Sequence, residues 1–343
     1  MKTRIAMWYA PMDLRLEEID IPPLNEGEIL VKVQAALTCG TDIKIYRRGH
    51  PLITPPYPLG HEFSGVVVDI GKGISDNLIG KRIVTSDAAS CHLCFYCKRD
   101  LENLCKNHQI LSGAFADYVK VPKEIVSQNL KIIPESMSFE EAAMVEPLSC
   151  ALHGVNRANI KIGDIISIIG AGPMALLMTQ LCKLRGAAVV IVIDKDSDRL
   201  LAAKHLGADY TINANEVKDV ISEVKTIANE GEGVDTSIEA VGLPETWEEA
   251  LHLTRKGGTV VLFGGCPAGT KISIETEMLH YSELTIKGSY NATAYEIETA
   301  FNLLCRKIIQ VEEYISGKFA LSDVKKALEM HMAQKGIKYA IIP

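Results

Sequence analysis

Four cysteines within a segment of fifteen residues carry the most specific chemical pattern of this sequence. They follow the spacing Cys-x2-Cys-x2-Cys-x7-Cys and are Cys91, Cys94, Cys97 and Cys105. Four thiolates this close along the chain can close a tetrahedron around Zn²⁺. An iron–sulfur cluster is the alternative, but the bacterial ferredoxin pattern ends in Cys-Pro, whereas Lys106 follows the last cysteine here. Because four thiolates leave no open position, the spacing predicts a structural zinc lobe at about residues 88–108.

A second group of metal-ligating residue types is scattered along the chain. It consists of Cys39 in Thr-Cys-Gly-Thr-Asp, the adjacent pair His61 and Glu62, and Glu146 before a proline. Each member also has an ordinary structural interpretation. A lone cysteine is usually a small core residue, and an acid such as Glu146 stabilises the start of a helix. Spacing alone therefore leaves open whether these residues hold a metal or only support the fold.

A glycine-rich turn between a strand and a helix predicts dinucleotide binding. The strand 164–169 is followed by Gly170-Ala-Gly172-Pro-Met-Ala175, by an apolar helical run, and by the strand 189–194. Gly170 permits the tight turn, Gly172 lets the backbone approach a pyrophosphate, and the helix points its N-terminal amides at the phosphates. Asp194 ends the second strand about 20 residues on, where its carboxylate can accept both ribose hydroxyls of NAD.

The predicted contacts with NAD lie on this turn and on the loops after later strands. They are Gly170, Gly172, Pro173, Met174, Asp194, Arg199, Val241 and Gly264. Asp194 should favour NAD because its charge repels the 2′-phosphate of NADP. Lys195 and Arg199 soften that repulsion, so the sequence predicts a preference for NAD and not an exclusion of NADP.

Length, charge and composition limit the remaining choices. A chain of 343 residues indicates two domains, and a net charge of −7 provides no basic surface for nucleic acid. The longest apolar run, residues 165–178, is broken by glycine and proline and is too short to span a bilayer. The first ten residues lack the apolar core of a secretion signal. We therefore expect a cytoplasmic protein whose nine cysteines stay reduced.

The hydrophobic pattern of the chain changes near residue 149. Before it, short strands at 28–37, 65–71 and 81–85 among proline-containing loops predict an antiparallel, barrel-like β domain. From 149 to 288, strands alternate with helices, which predicts a doubly wound parallel sheet. The predicted elements there are strands at 164–169, 189–194, 236–240, 259–263 and 284–288 and a helix at 196–206. The remaining chain adds helices at 296–304 and 322–332 and a strand at 338–342.

Taken together and in order, these motifs resemble the zinc-containing medium-chain alcohol dehydrogenase superfamily. The motifs are Cys-Gly-Thr-Asp, Gly-His-Glu, the four-cysteine lobe, Glu-Pro-Leu and Gly-x-Gly-x-x-Ala, and the likeness is greatest to the sorbitol and threonine dehydrogenase branch. The resemblance implies an α/β plus β fold in which a Rossmann domain is inserted into a GroES-like β-barrel catalytic domain. The implied domains are 1–148, which includes the zinc lobe, 149–288, which binds NAD, and 289–343, which returns to the catalytic domain.

The resemblance also implies an activity and a catalytic metal. The implied enzyme is a homo-oligomer, a tetramer or a dimer, with two zinc ions per chain. It transfers hydride from a secondary alcohol or polyol to NAD and gives a ketone. Cys39, His61 and Glu62 would hold the catalytic zinc, Glu146 would be an alternating ligand, and Thr41 would pass on the substrate proton. Zn²⁺ with one thiolate, one imidazole and one carboxylate carries no net charge and remains a Lewis acid.

Three departures from the family pattern bear on the substrate. Lys44 stands where many relatives carry a histidine that ends the proton relay. Asn291 stands where polyol dehydrogenases usually carry arginine, and the segment 107–115 after the lobe is shorter. A solvent-exposed lysine stays protonated to about pH 10, so the hypothesis is that water or His50 accepts the proton.

Other functions compete with alcohol or polyol oxidation. An activity like that of L-threonine 3-dehydrogenase uses the same ligands and cofactor. A zinc-free quinone or enone reductase of the same fold would lack the ligand set, which this chain has. The third alternative is a non-catalytic zinc or nucleotide-binding protein, which would not explain why Thr41 stands beside Cys39. The sequence does not name the alcohol.

Overall fold

The computed structural model describes residues 1–50 and 53–343, and the chain divides into two units. One unit contains Met1–Ser149 and Ala292–Pro343, and the other contains Cys150–Asn291. The domain boundaries at 148/149 and 288/289 stay predictions from the sequence. No helix of the described residues is long and apolar enough to cross a membrane.

Strands dominate the amino-terminal part of the first unit. Its strands are β1 (Lys2–Ala10), β2 (Asp13–Asp20), β3 (Ile29–Leu37), β4 (Tyr57–Pro58), β5 (Glu62–Ile70), β6 (Arg82–Val84), β7 (Ala88–Ala89), β8 (Gln109–Ile110), β9 (Tyr118–Val121) and β10 (Lys131–Ile132). Its helices are α1 (Gly40–Arg48), α2 (Lys123–Asn129), α3 (Phe139–Ala143) and α4 (Val145–Ala158), which crosses the division between the units.

Strands and helices alternate in the second unit, and the chain then returns to the first. The second unit contains β11 (Ile165–Ile169), α5 (Pro173–Leu184), β12 (Val189–Asp194), α6 (Ser197–His205), β13 (Tyr210–Asn213), α7 (Val220–Ile227), β14 (Val234–Glu239), α8 (Pro244–Leu253), β15 (Thr254–Leu262), α9 (Thr276–Tyr281) and β16 (Thr285–Gly288). The returning segment contains α10 (Ala294–Cys305), β17 (Ile315–Ala320), α11 (Val324–Met332) and β18 (Lys338–Ile342).

Strand β3 is the centre of the main sheet of the first unit. The sheet has the order β10-β6-β5-β3-β18-β17, and β9 pairs with the first half of β3. The pairing of β3 with β5 is antiparallel and sets Leu37 opposite Glu62. Strand β5 therefore begins at Glu62, before the predicted start at residue 65, because its pairing with β3 continues to that residue. This register brings the segments after β3 and before β5 side by side.

One strand pair of this sheet is parallel. Strands β17 and β18 run parallel to each other. Helix α11 lies between them in the chain and provides the crossover that a parallel pair requires. Strand β18 in turn pairs antiparallel with the end of β3, where Ala340 lies opposite Leu37. The carboxy-terminal strand is thus joined to the strand that leads into Cys39.

The core of the first unit forms beneath these strands. In β3, Val31 and Val33 are buried while Lys32 between them is exposed, as expected for a strand with one face on the core. Phe63 and Phe115 are fully buried in the same cluster. Each such side chain contributes roughly 1.5–3 kcal/mol through burial. This packing fixes the positions at which β3 and β5 end.

The second unit contains a six-stranded sheet of order β13-β12-β11-β14-β15-β16, in which all pairs are parallel. The predicted doubly wound sheet is confirmed, and the strand predicted at 189–194 coincides with β12. The strand order reverses between β11 and β14. In open sheets of this type, nucleotides bind beyond the carboxyl ends of the strands at such a switch point.

Candidate active site and structural metal centre

The four predicted ligands of the structural zinc come together in one cluster. The Sγ–Sγ distances are 3.4 Å for Cys91 and Cys105, 3.5 Å for Cys94 and Cys97, and 3.9 Å for Cys94 and Cys105. A tetrahedral site with Zn–S bonds of about 2.3 Å has sulfur–sulfur edges of about 3.8 Å. A disulfide would require a separation of about 2.0 Å. The sulfur positions therefore fit a four-thiolate zinc site.

Backbone amides point at the sulfurs of Cys105 and Cys94, whereas burial raises the pKa of the Cys97 thiol to about 12. The amides of Cys91 and Asn107 each donate to Cys105 Sγ at 3.3 Å. The amides of Cys97 and Lys106 lower the pKa of Cys94 to about 6. Thiolates are the species that ligate a metal. The backbone thus favours a thiolate at Cys94, and the four converging ligands leave no position for a substrate.

Three of the dispersed ligand candidates also come together. The Sγ of Cys39, a ring nitrogen of His61 and a carboxylate oxygen of Glu62 lie within 4.8 Å of one another. We call these residues the three-donor cluster. Cys39 follows the end of β3 and caps α1, whereas His61 and Glu62 stand at the start of β5. The β3–β5 register therefore assembles the cluster.

His61 is oriented by a buried carboxylate. Its Nδ1 lies 3.3 Å from Asp42 Oδ1, and the same oxygen accepts the backbone amide of Gly60 at 3.1 Å. Burial opposes a charged imidazole, but Asp42 and Cys39 outweigh it and raise the pKa of His61 well above its ordinary value. A carboxylate on one ring nitrogen fixes the ring and leaves the other nitrogen for a metal. Asp42 lies in the predicted Cys-Gly-Thr-Asp motif, but its position there did not predict this role.

Lys338, the first residue of β18, is a member of the site that sequence reasoning missed. Its Nζ donates to Glu62 Oε1 at 2.8 Å and Oε2 at 2.5 Å, and to the Thr38 carbonyl at 3.0 Å. The ammonium group is 1% exposed and the Glu62 carboxylate 0%. Burial opposes the positive charge, but Glu62 and Cys39 keep the pKa of Lys338 raised.

The buried lysine changes the charge count of the cluster. The count from the sequence, Zn²⁺ with one thiolate and one carboxylate, is neutral, and Lys338 adds one positive charge. Both oxygens of Glu62 accept from Lys338, yet a carboxylate has about four acceptor positions, so the residue can still face a cation. The donor set of thiolate, imidazole and carboxylate oxygen matches the preferences of zinc, with one position left for a further ligand.

Glu146 lies outside the three-donor cluster. It is a buried residue in the first turn of α4, and its charge contributes to the raised pKa of Lys338. The carboxylate is therefore within electrostatic range of the site, but it is not one of the converging ligand atoms. Its part as an alternating ligand stays a prediction.

Thr41, Lys44 and His50 are exposed residues at α1 and its carboxyl end. The amide of Thr41 donates to Cys39 Sγ at 3.5 Å, so the threonine is adjacent to the cluster through its backbone. Its role in proton transfer stays a prediction.

The glycine-rich turn has the geometry that a nucleotide phosphate needs. Gly170 has a φ of +105°, and a Cβ there would lie 3.0 Å from the Val241 side chain. The space where a Cβ of Gly172 would lie is open, with no atom within 4 Å. Pro173 occupies the first turn of α5 and Met174 follows it. The turn thus offers an uncovered backbone at a helix N-terminus, which suits a pyrophosphate.

Asp194 ties the phosphate turn to the end of β12. Its Oδ2 accepts the amide of Ala171 at 2.6 Å, and its Oδ1 accepts the amides of Lys195 and Asp196 at 2.7 and 2.9 Å. Acceptor capacity remains for a ribose hydroxyl. Arg199 is partly buried in the first turn of α6.

Val241 and Gly264 lie on two neighbouring loops, and the buried carboxylate of Glu239 binds the first of them. Glu239, at the end of β14, accepts the amides of Val241 and Gly242 at 2.9 and 2.8 Å. A Cβ on Gly264 would lie 2.3 Å from the Gly242 amide nitrogen, so the two loops touch through backbone alone. Burial raises the pKa of Glu239. Sequence reasoning missed this residue, although an acid that ends a buried strand is a usable signal.

Comparisons with known proteins agree with this arrangement. Residues 25–133 match the alcohol dehydrogenase GroES-like domain, and residues 173–306 match the zinc-binding dehydrogenase family. The chain is 31% identical to sorbitol dehydrogenase of Bacillus subtilis (strain 168) over 351 residues, covering 99% of this chain and 97% of the relative. It is 34% identical to L-threonine 3-dehydrogenase of Pyrococcus furiosus over 330 residues, covering 93% and 92%.

A solved structure shows the same fold over the whole chain. It is described as a zinc-binding dehydrogenase from Sinorhizobium meliloti 1021 bound to NADP, with a TM-score of 0.92, 31% identity and 100% coverage of both chains. The chain therefore belongs to the zinc-containing medium-chain alcohol dehydrogenase superfamily. The resemblance and the fold class inferred from the sequence, a GroES-like domain with a Rossmann-type parallel sheet, are confirmed.

Proposed function

We propose that this protein is a zinc-dependent dehydrogenase that oxidises a secondary alcohol or polyol to a ketone and transfers the hydride to NAD. The observation that carries the proposal is the convergence of Cys39, His61 and Glu62 donor atoms within 4.8 Å in a chain of this family. An open position beside three protein ligands is the usual form of a catalytic zinc site. The lobe has four ligands and serves the fold.

The residues around the cluster have separable tasks in this proposal. Cys39, His61 and Glu62 hold Zn²⁺, which when bound supplies Lewis acidity that favours deprotonation of an alcohol. Asp42 orients the His61 ring, and Lys338 neutralises and positions the Glu62 carboxylate. Glu146 serves as an alternating ligand near the positive charge of Lys338.

The proton of the substrate hydroxyl is proposed to leave through Thr41. Its hydroxyl can accept this proton only by passing its own on, because it has no useful basicity. Water or the exposed His50 then accepts the proton. The exposed Lys44 does not, because a lysine ammonium has no acceptor position. Thr41→Ala should lower kcat by at least about a hundredfold, whereas Thr41→Ser, which keeps a hydroxyl, should retain most of it. Equal activity of the two variants would remove Thr41 from the proton path.

The proposed cofactor is NAD, held at Gly170, Gly172, Pro173, Met174, Asp194, Arg199, Val241 and Gly264. The acceptor capacity of Asp194 and the open position at Gly172 support this assignment. The similar solved structure contains NADP, which agrees with a preference for NAD that does not exclude NADP. We attribute the incomplete preference to the positive charges of Lys195 and Arg199.

Two substrate classes follow from the relatives. Polyols are favoured by the similarity to a sorbitol dehydrogenase, and threonine is the second candidate because of the 34% identity to an L-threonine 3-dehydrogenase. A zinc-free quinone or enone reductase is disfavoured by the presence of the three-donor cluster.

We also propose that the protein is a cytoplasmic homo-oligomer, either a tetramer or a dimer. Strand β16 forms an edge of the parallel sheet, and an edge strand presents backbone groups to which a second copy can add. The nine cysteines are free and five of them belong to the two candidate metal groups, which suits a reducing compartment. Light scattering of the pure protein checks the assembly state.

The proposal is tested with purified protein, NAD and a panel of secondary alcohols, polyols and threonine, followed by the absorbance of NADH. We expect NADH formation by the wild-type protein, loss of it in Cys39→Ser, and no change in Cys305→Ser, a cysteine outside both metal groups. NADH formation at the wild-type rate by Cys39→Ser would contradict the assignment.

A further inference from the structure

Glu239 is the last residue of β14, and it is fully buried in the second unit. Three hydrogen-bond donors converge on one of its carboxylate oxygens. Oε1 accepts the amides of Val241 and Gly242 at 2.9 and 2.8 Å and the hydroxyl of Thr246 at 2.7 Å. Thr246 belongs to α8, so this oxygen ties the loop after β14 to the helix that follows it.

The backbone of the same residue holds the loop that follows β15. The Glu239 carbonyl accepts the amides of Phe263 and Gly264, both at 2.9 Å. The two loops also pack backbone against backbone, because a Cβ on Gly242 would lie 2.7 Å from the carbonyl oxygen of Gly265. Glu239 is therefore the common anchor of the loops 241–242 and 263–265.

The second carboxylate oxygen of Glu239 is buried and has no hydrogen-bond partner among the described residues. It faces Gly264, where a Cβ would lie 2.7 Å from Oε2 and 2.3 Å from the Gly242 amide nitrogen. This gap has no room for a ligand group, and Glu239 itself is 0% exposed. The side chain thus acts through one acceptor oxygen, and it cannot touch a bound cofactor.

The anchored loops lie on the opposite side of the phosphate turn from Asp194. In a sheet of order β12-β11-β14-β15, a dinucleotide lies across the switch point, beyond the carboxyl ends of the strands. With the adenosine ribose at Asp194 and the pyrophosphate at the turn after β11, the nicotinamide half extends toward β14 and β15. Val241 is 43% exposed there, and a Cβ on Gly170 of the turn would lie 3.0 Å from its side chain.

We propose that Glu239 is a positioning residue for the nicotinamide half of NAD, because its Oε1 and its carbonyl fix the two loops in the shape that this half binds. The inference rests on the proposed function and deepens it, since it assigns cofactor affinity to a residue that does not touch the cofactor. A loop that is fixed before binding loses less conformational entropy when the ligand arrives, which raises affinity. The adenosine half, at Asp194 and the phosphate turn, should not depend on Glu239.

The test compares NAD with ADP, which carries the adenosine and both phosphates but lacks the second ribose and the nicotinamide ring. Isothermal titration calorimetry of the zinc-loaded full chain gives the Kd of each ligand for the wild type, Glu239→Leu and Glu239→Gln. Glutamine keeps one acceptor oxygen, whereas leucine keeps only the bulk of the side chain. Glu245→Gln, an exposed acid in the first turn of α8, is the control for loss of one negative charge.

We expect Glu239→Leu to raise the Kd of NAD about tenfold or more and to leave the Kd of ADP within about twofold of the wild-type value. Glu239→Gln should stay within about threefold of the wild type for both ligands, because one acceptor oxygen serves all three donors. If Glu239→Leu does not fold, Thr246→Val removes one of these donors and should raise the Kd of NAD about threefold.

Three results would overturn the inference. The first is a parallel loss of affinity for NAD and ADP in Glu239→Leu, which would indicate a general effect on the fold. The second is wild-type affinity for NAD in Glu239→Leu or, where that variant does not fold, in Thr246→Val. The third is an equal loss in Glu239→Gln and Glu239→Leu, because the charge would then act and not the acceptor oxygen. Since no alcohol is present, failure of the alcohol panel would contradict the proposed reaction, whereas these Kd values alone decide the inference.

Discussion

In the lobe, four cysteines from one segment of fifteen residues face each other, with backbone amides directed at their sulfurs. In the three-donor cluster, a thiol, an imidazole and a carboxylate are brought together from the end of β3 and the start of β5. The first group needs only its own loop. The second needs the register of a sheet and the help of Asp42 and Lys338.

This difference in assembly corresponds to a difference in chemical capacity. Four thiolates complete a tetrahedron and exclude further ligands, so the lobe can stabilise the fold but cannot bind a substrate. Three mixed donors leave a position open, and the buried lysine offsets the charge of the carboxylate. The three-donor cluster, whose ligands come from distant parts of the chain, is therefore the group that can bind a substrate.

The largest expected effect separates the two groups by activity. Cys39→Ser should lower kcat about a thousandfold or more, equivalent to ~4 kcal/mol of transition-state stabilisation, because one ligand of the catalytic metal is lost. Its melting temperature should stay close to that of the wild type. Steady-state NADH formation and thermal unfolding on the same preparation measure both quantities, and a folding defect without loss of activity would reverse the comparison.

Cys94→Ser should have the opposite profile. Loss of one lobe ligand should release its zinc and remove several kcal/mol of folding free energy, since structural zinc contributes directly to stability. The melting temperature should fall by roughly 5 °C or more. Calorimetry of the variant beside Cys305→Ser, a cysteine outside both groups, provides the matched control. Unchanged stability would show that the lobe does not hold a structural metal.

Breaking the Lys338–Glu62 pair tests whether the charges of the cluster are balanced as described. Lys338→Met leaves a buried carboxylate without its partner and should cost roughly 3–5 kcal/mol of stability. The double variant Lys338→Met with Glu62→Gln removes both charges and should recover most of that loss. Chemical denaturation of the wild type, both single variants and the double variant gives the coupling. Additive losses would mean that the two residues do not act as a pair.

These two groups also differ in how far the sequence alone could predict them. The lobe follows from spacing, since its ligands are neighbours in the chain. Strands such as β12 and β18 followed from apolar runs and were placed correctly. The three-donor cluster followed only from a family resemblance, because Cys39 and His61 meet through the pairing of β3 with β5.

Lys338 shows where sequence reasoning ends. It lies 300 residues from Thr38, whose carbonyl it contacts, and a lysine at the start of an apolar strand is usually a solvated terminus. Only the pairing of β18 with β3 makes it a buried partner of Glu62.

The cofactor turn provides a smaller effect that lies outside both metal groups. Asp194→Gly should lower the preference for NAD over NADP, as a ratio of kcat/KM values, by about tenfold or more, because the repulsion of the 2′-phosphate is removed. Zinc content should not change, so any loss of metal would show that the substitution acts through the fold. An unaltered ratio would exclude Asp194 from cofactor selection.

The smallest expected effect concerns the helix that Cys39 caps. Tyr46 of α1 donates to Glu329 of α11 at 3.1 Å, and burial together with Glu329 raises the pKa of Tyr46 to about 12. The folded pKa lies above the unfolded value of about 10, so this contribution is full below pH 10 and is lost as pH rises through about 12. Tyr46→Phe should lower the free energy of unfolding by about 1 kcal/mol at pH 7. The variant should also lack the part of the alkaline loss of stability that comes from ionisation of Tyr46. Urea unfolding at neutral and alkaline pH compares the two proteins, and parallel declines would refute the link.

The zinc content of the wild type, Cys39→Ser and Cys94→Ser tests the central claim most directly, because it counts the two metal groups independently of substrate choice. Elemental analysis of protein purified without added metal should give about two zinc ions per chain for the wild type and about one for each variant. Cys39→Ser should retain the zinc of the lobe and the stability of the wild type. Cys94→Ser should retain the zinc of the three-donor cluster and some NADH formation. One zinc in the wild type, or two zinc ions in either variant, would contradict the assignment of a catalytic and a structural site.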